Sequence, residues 1–347
     1  MGTNDGVSVV IVGAGVIGLT TALQLVQDGV RPSCITILAK DRPEKTVSHV
    51  AGALWECPPY HMEASPNALK WCEETFHKCV QVMREHPESG MHVVPNITVS
   101  QHPLATNADA KDMAPSYRES SDLKSLEQWL HSHGVTELGR YQHLQSYDAV
   151  VADMGIYLGW LVTQLQRHRV RFQEQEVHDL RALATPATVV VNCTGLFRDD
   201  PAVFACKGQV VLVHAPWVRS AICDNDSGAY MIPRPNGNLI CGGTSENDVY
   251  NVDVEADVTE KILKKCAAVV PSVGRAKVVG ARAGLRPERR GGVRVEVDAS
   301  LPASQGGFLV HNYGHGGSGF CLSWGTAAAV SALVRQCMAR AAQRSKL

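Results

Sequence analysis

A length of 347 residues suggests about two domains, and a 45% hydrophobic content is enough to bury a sizeable core. With 19% charged residues and a formal net charge of -1, the composition excludes a disordered chain and gives no electrostatic reason to expect nucleic acid or an anionic membrane as partner. The eleven cysteines show no Cys-x-x-Cys or zinc spacing, no leader-like segment opens the chain, and no apolar run approaches bilayer length. They are therefore expected to be small buried hydrophobes in a reducing compartment, with no metal.

Residues 7–12 are a β-branched run that reads as a strand. A glycine turn follows, then helical spacing through Val26, ended by Asp28-Gly29, and a second strand at 34–38; together these make a βαβ unit. Residues 67–86 have helical spacing, 103–121 are turn-rich and read as loop, and 122–133 and 157–168 are helical. Strands are expected at 170–173 and 189–191, the second apolar throughout, as in a strand buried on both faces. From residue 208 the pattern changes to short strands at 209–213, 229–232 and 238–241, the last two joined by a Pro235-Asn236-Gly237 turn, which suggests antiparallel sheet. A helix at 258–269, strands at 293–297 and 308–311 and a terminal helix at 327–342 complete the reading.

Two glycine-rich segments carry chemistry. In Gly13-Ala14-Gly15-Val16-Ile17-Gly18 the first glycine makes the tight turn, the second admits a pyrophosphate to the backbone and the third lets helix pack on strand. Its place between strand and helix makes it a dinucleotide site. Asp41 is the candidate for the ribose hydroxyls, while Lys40 beside it either meets the adenosine side or is solvated. The second segment, Val310-His311-Asn312-Tyr313-Gly314-His315-Gly316-Gly317-Ser318-Gly319, is too rich in glycine for a mere connection and is expected to contact a ligand. His311 and His315 are read as structural.

With Gly319, Gly325 and Ala327 at matching spacing, residues 310–327 resemble the signature of the D-amino acid oxidase family. Six further segments resemble it in order. They are Val50-Ala51-Gly52-Ala53-Leu54-Trp55, Val191-Asn192-Cys193-Thr194-Gly195, Lys207-Gly208-Gln209-Val210, Ala215-Pro216-Trp217, Tyr230-Met231-Ile232-Pro233 and Gly284-Leu285-Arg286-Pro287. The resemblance implies FAD, and an α/β fold in which a discontinuous Rossmann-like FAD-binding domain (1–60, 150–200 and 276–347) joins an α+β substrate domain with a large antiparallel sheet (61–149 and 201–275). The implied FAD contacts are Gly13 to Gly18, Lys40, Asp41, Ser48, Leu54, Trp55, Val177, Thr194, and Gly314, His315, Gly316, Gly317, Ser318, Gly319 and Phe320, with Trp55 lining the ring's face. Arg286 would hold the substrate carboxylate bidentately. Tyr230 would donate to the same group, and Gly317 and Glu56 would border the substrate.

Departures from the family pattern bear on specificity. Ser245 and Cys223 stand where the branch acting on D-aspartate is expected to carry arginines, and Glu56 stands where the branch acting on neutral substrates has glutamine. One extra residue falls among Cys57-Pro58-Pro59-Tyr60, a lid tyrosine before Tyr230 is missing, and the 221–229 loop looks short, so a more open site is expected. The resemblance implies hydride transfer from the substrate α-carbon to flavin N5 without a catalytic acid or base. Imine hydrolysis would then give a 2-oxo acid and ammonia, and oxygen would be reduced to hydrogen peroxide. Neutral or basic D-amino acids are expected over D-aspartate; a D-aspartate oxidase, a glycine or sarcosine oxidase, or an inactive flavin-binding protein are the alternatives. The tail Ser345-Lys346-Leu347 reads as a peroxisomal address for the import receptor, and a homodimer is left open.

Overall fold

The computed structural model describes residues 6–57, 65–105, 108–136, 138–197, 199–301 and 306–344. The extra residue expected near Pro58 to Tyr60 and the Ser345-Lys346-Leu347 tail lie outside the described residues.

Among the described residues the first sheet has six strands in the order Arg294–Val297, Phe308–Tyr313, Thr188–Asn192, Ser8–Val12, Ile35–Ala39 and Arg171–Glu174. All pairings are parallel except that of Arg294–Val297 with Phe308–Tyr313. Val189, Val190 and Val191 are all fully buried, as the unbroken apolar run requires. Helix Val16–Gln27 packs against Met154–Arg167 and Gly319–Arg344, and Ala68–Glu85 packs against the latter. Gly316–Arg344 is long and apolar enough to cross a bilayer, contrary to the reading of the sequence, but most of it is buried inside the fold as a core element.

Among the described residues the second sheet has nine strands and is antiparallel except where Met91–Ser100 runs parallel to Ala221–Asp224. Its centre is Val203–His214, flanked by Asn238–Gly242 and by Lys277–Arg289, and it continues through Ala229–Pro233, Ala221–Asp224, Met91–Ser100 and His143–Ala152. Strand alternation sends Val211, Val213, Met231, Leu239 and Cys241 under helix Ala256–Val269. The opposite face, with Val210, Ile232 and Ile240, joins the core shared with the parallel sheet.

Three long strands, Met91–Ser100, His143–Ala152 and Lys277–Arg289, do not show in the sequence pattern. Lys277–Arg289 joins the antiparallel sheet, pairing from Lys277 with His214 to Arg289 with Val203, so the hydrogen bonding does not divide the chain at 276 as expected. Likewise His143–Ala152 stays in that sheet past residue 150. The expected loop at 103–121 contains a short helix, Ala108–Met113, and a strand, Arg118–Ser120. The terminal helix starts at Gly319 instead of residue 327, because the glycine segment runs directly into it.

Candidate functional site

Five loops converge at the carboxyl ends of five parallel strands, the place where α/β sheets bind ligands. Gly13 follows Val12, Lys40 follows Ala39, Val177 follows the Arg171–Glu174 strand, Thr194 follows Asn192, and Gly314 follows Tyr313. Gly13 has φ +120°, and a Cβ there would overlap the Cys193 carbonyl. A Cβ on Gly18 would overlap the Gly13 carbonyl, so turn, helix and neighbouring strand approach as only glycine permits. Ala14 and Val16 are buried and Ile17 is half-buried. Ser48 Oγ accepts from Val16 N at 3.0 Å, at the first turn of helix Val16–Gln27.

The second glycine segment brings another helix N-terminus to the same place. A Cβ on Gly319 would lie 3.9 Å from Val16 Cγ1, Thr20 Oγ1 donates to Ser323 O at 3.3 Å, and Asn312 Nδ2 donates to Thr21 Oγ1 at 3.1 Å. Neither helix has an acidic residue in its first turn. Two positive helix ends side by side, with glycines where a Cβ would intrude, fit a diphosphate. Gly314 and Gly316 both have positive φ; a Cβ on Gly314 would lie 2.8 Å from Arg289 Cβ, and one on Gly316 would overlap the Glu288 carboxylate. Gly317 is exposed and Ser318 is buried.

A network absent from the sequence reading holds this loop. Asp200 accepts from Arg289 Nε at 2.8 Å, Tyr313 OH at 2.7 Å and Ala202 N at 2.9 Å, and Arg294 Nη1 donates to Tyr313 OH at 2.9 Å. Burial opposes ionisation of Asp200, but these bonds win and take its carboxyl down to about 2.

Other expected cofactor contacts differ in what their side chains do. Lys40 is exposed and pairs with Glu176 at 3.7 Å, and Asp41 is half-buried. Val177 is half-buried against the Leu180 and Val190 cluster, and Thr194 Oγ1 donates to Asn192 Oδ1 at 2.8 Å. Leu54 is buried, with its carbonyl accepting from Cys321 Sγ. The Trp55 side chain does not line a cleft: it is fully buried, donates Nε1–H to Cys72 O at 3.0 Å and packs on Phe76 at 4.6 Å between ring centroids. Phe320 is likewise buried, edge-on to Tyr157, so either residue meets a cofactor only through backbone. His315 is buried, faces Thr326 Oγ1 at 3.3 Å and is pushed down to about 3 by desolvation, so it is neutral and structural.

On the substrate side, glycines again make room, but for side chains. The Tyr230 ring lies against the backbone of Gly242 and Gly243, where either Cβ would clash with it, and the Arg286 guanidinium lies over Gly208. Arg286 Nη1 donates to Thr244 O at 2.9 Å and contacts Cys206 Sγ at 3.8 Å. Among the described residues no carboxylate comes within salt-bridge distance of it, although Glu288 on the same strand acts on it electrostatically. Burial opposes the Arg286 charge, yet the neighbouring Tyr230 and Cys206 raise its pKa, and burial raises Tyr230 despite Arg286 beside it. The pair therefore presents a cation and a neutral hydroxyl donor. Gly316 touches Glu288 on the strand that carries Arg286, which brings the substrate and cofactor segments together.

Glu56 is partly buried, and desolvation pushes its carboxyl up to about 7. It acts electrostatically on Tyr230, Tyr147 and Cys223, which places it at the same site. Cys223 faces Tyr230 across the strand pair and reaches Asn96 Oδ1 at 3.9 Å; Ser245 Oγ meets Cys206 Sγ at 3.1 Å. The segment 221–229 is a strand and a tight turn, with Ala221–Asp224 paired to Ala229–Pro233. Cys206 and Asp200 gave no signal in the sequence; the glycine pair Gly242-Gly243 is a signal that could have pointed to the Tyr230 seat.

A family profile described as FAD dependent oxidoreductase matches residues 8–333. The chain is 33% identical to a D-amino-acid oxidase of Streptomyces coelicolor, over 93% of this chain and 95% of that one. It is 28% identical to a D-aspartate oxidase of Homo sapiens, over 96% of each chain. A glycine oxidase structure from Geobacillus kaustophilus shares the fold at TM-score 0.77 and 20% identity, covering 95% of this chain and 94% of that one.

Proposed function

The chain belongs to the D-amino-acid oxidase family of FAD dependent oxidoreductases, and on that premise we propose that it oxidises neutral or basic D-amino acids to 2-oxo acids, ammonia and hydrogen peroxide. The observation that carries the reading is the Arg286–Tyr230 pair. A largely buried guanidinium with no carboxylate in salt-bridge contact among the described residues, Glu288 acting on it only electrostatically, is costly, and a ligand carboxylate lowers that cost. Arg286 offers two parallel N–H donors to it, and Tyr230 adds a third.

Bound FAD supplies the two-electron acceptor, which oxygen regenerates with release of hydrogen peroxide. The residues present fit that cofactor: two acid-free helix N-termini for the diphosphate, and the glycines at 314, 316 and 317 at the edge of the substrate site. The protein's own contribution is positioning, since clamping the carboxylate fixes the α-carbon. No residue is assigned as acid or base; His315 is neutral and turned inward, and Tyr230 keeps its proton.

The side-chain preference rests on charge. Cys223 and Ser245 leave an acidic substrate without a cation, and Glu56 repels it. A peroxide-coupled screen of D-amino acids, with L-amino acids, D-aspartate, glycine and sarcosine alongside, tests the reading. D-alanine and D-lysine should turn over well above D-aspartate. Highest turnover on D-aspartate, or on glycine or sarcosine, overturns it.

A further inference from the structure

Strand Lys277–Arg289 sends Arg286, Gly284 and Arg282 to one face. Gly284 lies against Val47 and Val50, so the short helix Val47–Val50 separates the two arginines. Beyond it, at the seam between the two sheets, is a cavity of about 230 Å³. Val210, Leu212 and Ile240 from the antiparallel sheet, with Met154 opposite, give it an apolar floor. Its rim is polar, with Arg282, Arg234, His49, Asn236 and Asn238, and Asp153 is the acid in its lining.

These polar groups differ in what they have left to offer. Arg234 is buried and gives its guanidinium to the carbonyls of Ala152, Ala51 and Gly52. Asp153 caps helix Met154–Arg167, accepting from Gly155 N at 3.0 Å. The Arg282 side chain, by contrast, has no hydrogen bond or ion pair among the described residues and acts on His49 only electrostatically. His49 Nδ1 is shielded from solvent and has no hydrogen-bond partner among the described residues. The Asn236 side-chain oxygen accepts from Asn238 N at 3.0 Å, and that of Asn238 faces His214 Nδ1 at 3.3 Å, so both amide NH2 groups remain to donate.

We propose that this cavity is a second binding site, for a small organic carboxylate with a short apolar body. An uncommitted guanidinium and two amide donors suit a carboxylate. The apolar floor would be wasted on an inorganic anion, and Asp153 disfavours a dianion. The volume, below the roughly 300 Å³ at which drug-sized sites begin, limits the occupant to a few carbons. The site is also wired to the first one. Arg234 holds the carbonyls of Ala51 and Gly52, and Gly52 sits against Ile232 and Tyr230, so an occupant bears on the backing of Tyr230.

The test is calorimetric titration of the FAD-loaded enzyme with butyrate, which has no amino group to oxidise. Two butyrates per chain are expected, one at Arg286 and one in the cavity. Arg282→Leu, at an exposed position where folding is checked by melting temperature, should weaken one of them by about tenfold or more and leave turnover intact. Arg286→Leu should abolish the other. If the wild type binds once and only Arg282→Leu removes it, the cavity site stands and the carboxylate role of Arg286 falls. A single site lost in Arg286→Leu alone, two sites indifferent to Arg282→Leu, or no binding at all overturns the proposal.

Discussion

Around Gly13 to Gly18 the ligand-facing surface is backbone, shaped by residues adjacent in sequence, and every side chain that would intrude is missing. Around Arg286 it is side chain, brought together by strand register from residues 206, 208, 230, 242 and 286. The first region can fail only by steric intrusion or loss of a turn; the second fails one chemical group at a time. That difference tells which substitutions destroy the protein and which only retune it.

The largest expected effect breaks the backbone region. Gly18→Ala drives a Cβ into the Gly13 carbonyl and should cost about 3 kcal/mol or more, read as loss of retained FAD and a lower melting temperature. Next, Arg286→Leu should lower kcat/KM about 100-fold or more with FAD content unchanged, because one charged bidentate contact is removed and no fold element. Arg286→Lys should recover only part of it, since an ammonium lacks the fork geometry. Tyr230→Phe should cost about tenfold in kcat/KM, the worth of one hydrogen bond to a charged group.

Glu56 sharpens the comparison with a pH dependence. Its pKa is raised to about 7 from 4.5, so the folded state favours the protonated form; that stabilisation is complete below about 4.5 and is lost as pH rises through about 7. Glu56→Gln should therefore gain melting temperature relative to wild type on going from pH 5 to pH 8. In activity, the wild-type ratio of D-lysine to D-alanine turnover should rise with pH through about 7 as the carboxylate ionises, and the Glu56→Gln ratio should stay flat. The smallest effect is Lys40→Ala. Lys40 and its partner Glu176 are both more than half exposed, so FAD affinity should move by no more than about 0.5 kcal/mol in a flavin fluorescence titration.

The same contrast governs how much could be read from the sequence. The βαβ unit, the helix Ala68–Glu85 and the hairpin around Gly237 follow local rules, and the structure has them where the pattern puts them. Lys277–Arg289 does not: Gly280, Gly284, Pro287 and three arginines disguise a strand whose pairing with Val203–His214 is what makes it one. Pro95 similarly hides Met91–Ser100. Within the site, the glycines and Arg286 were visible as residue types at motif spacing. Asp200 was not, because its partners Arg289 and Tyr313 are 89 and 113 residues away. Trp55 was placed wrongly because a motif position fixes the backbone and leaves the direction of the indole to packing.

The two helix N-termini that meet near Val16 are separated by some three hundred residues of chain. During synthesis the first glycine turn is made some three hundred residues before the partner that completes its cradle. The cradle is therefore incomplete until Gly319 is made, and the edge of Thr188–Asn192 stays open until Phe308–Tyr313 arrives. Any shortage of FAD would be felt only after both glycine segments are in place, as a folded cradle lacking its stabilising ligand.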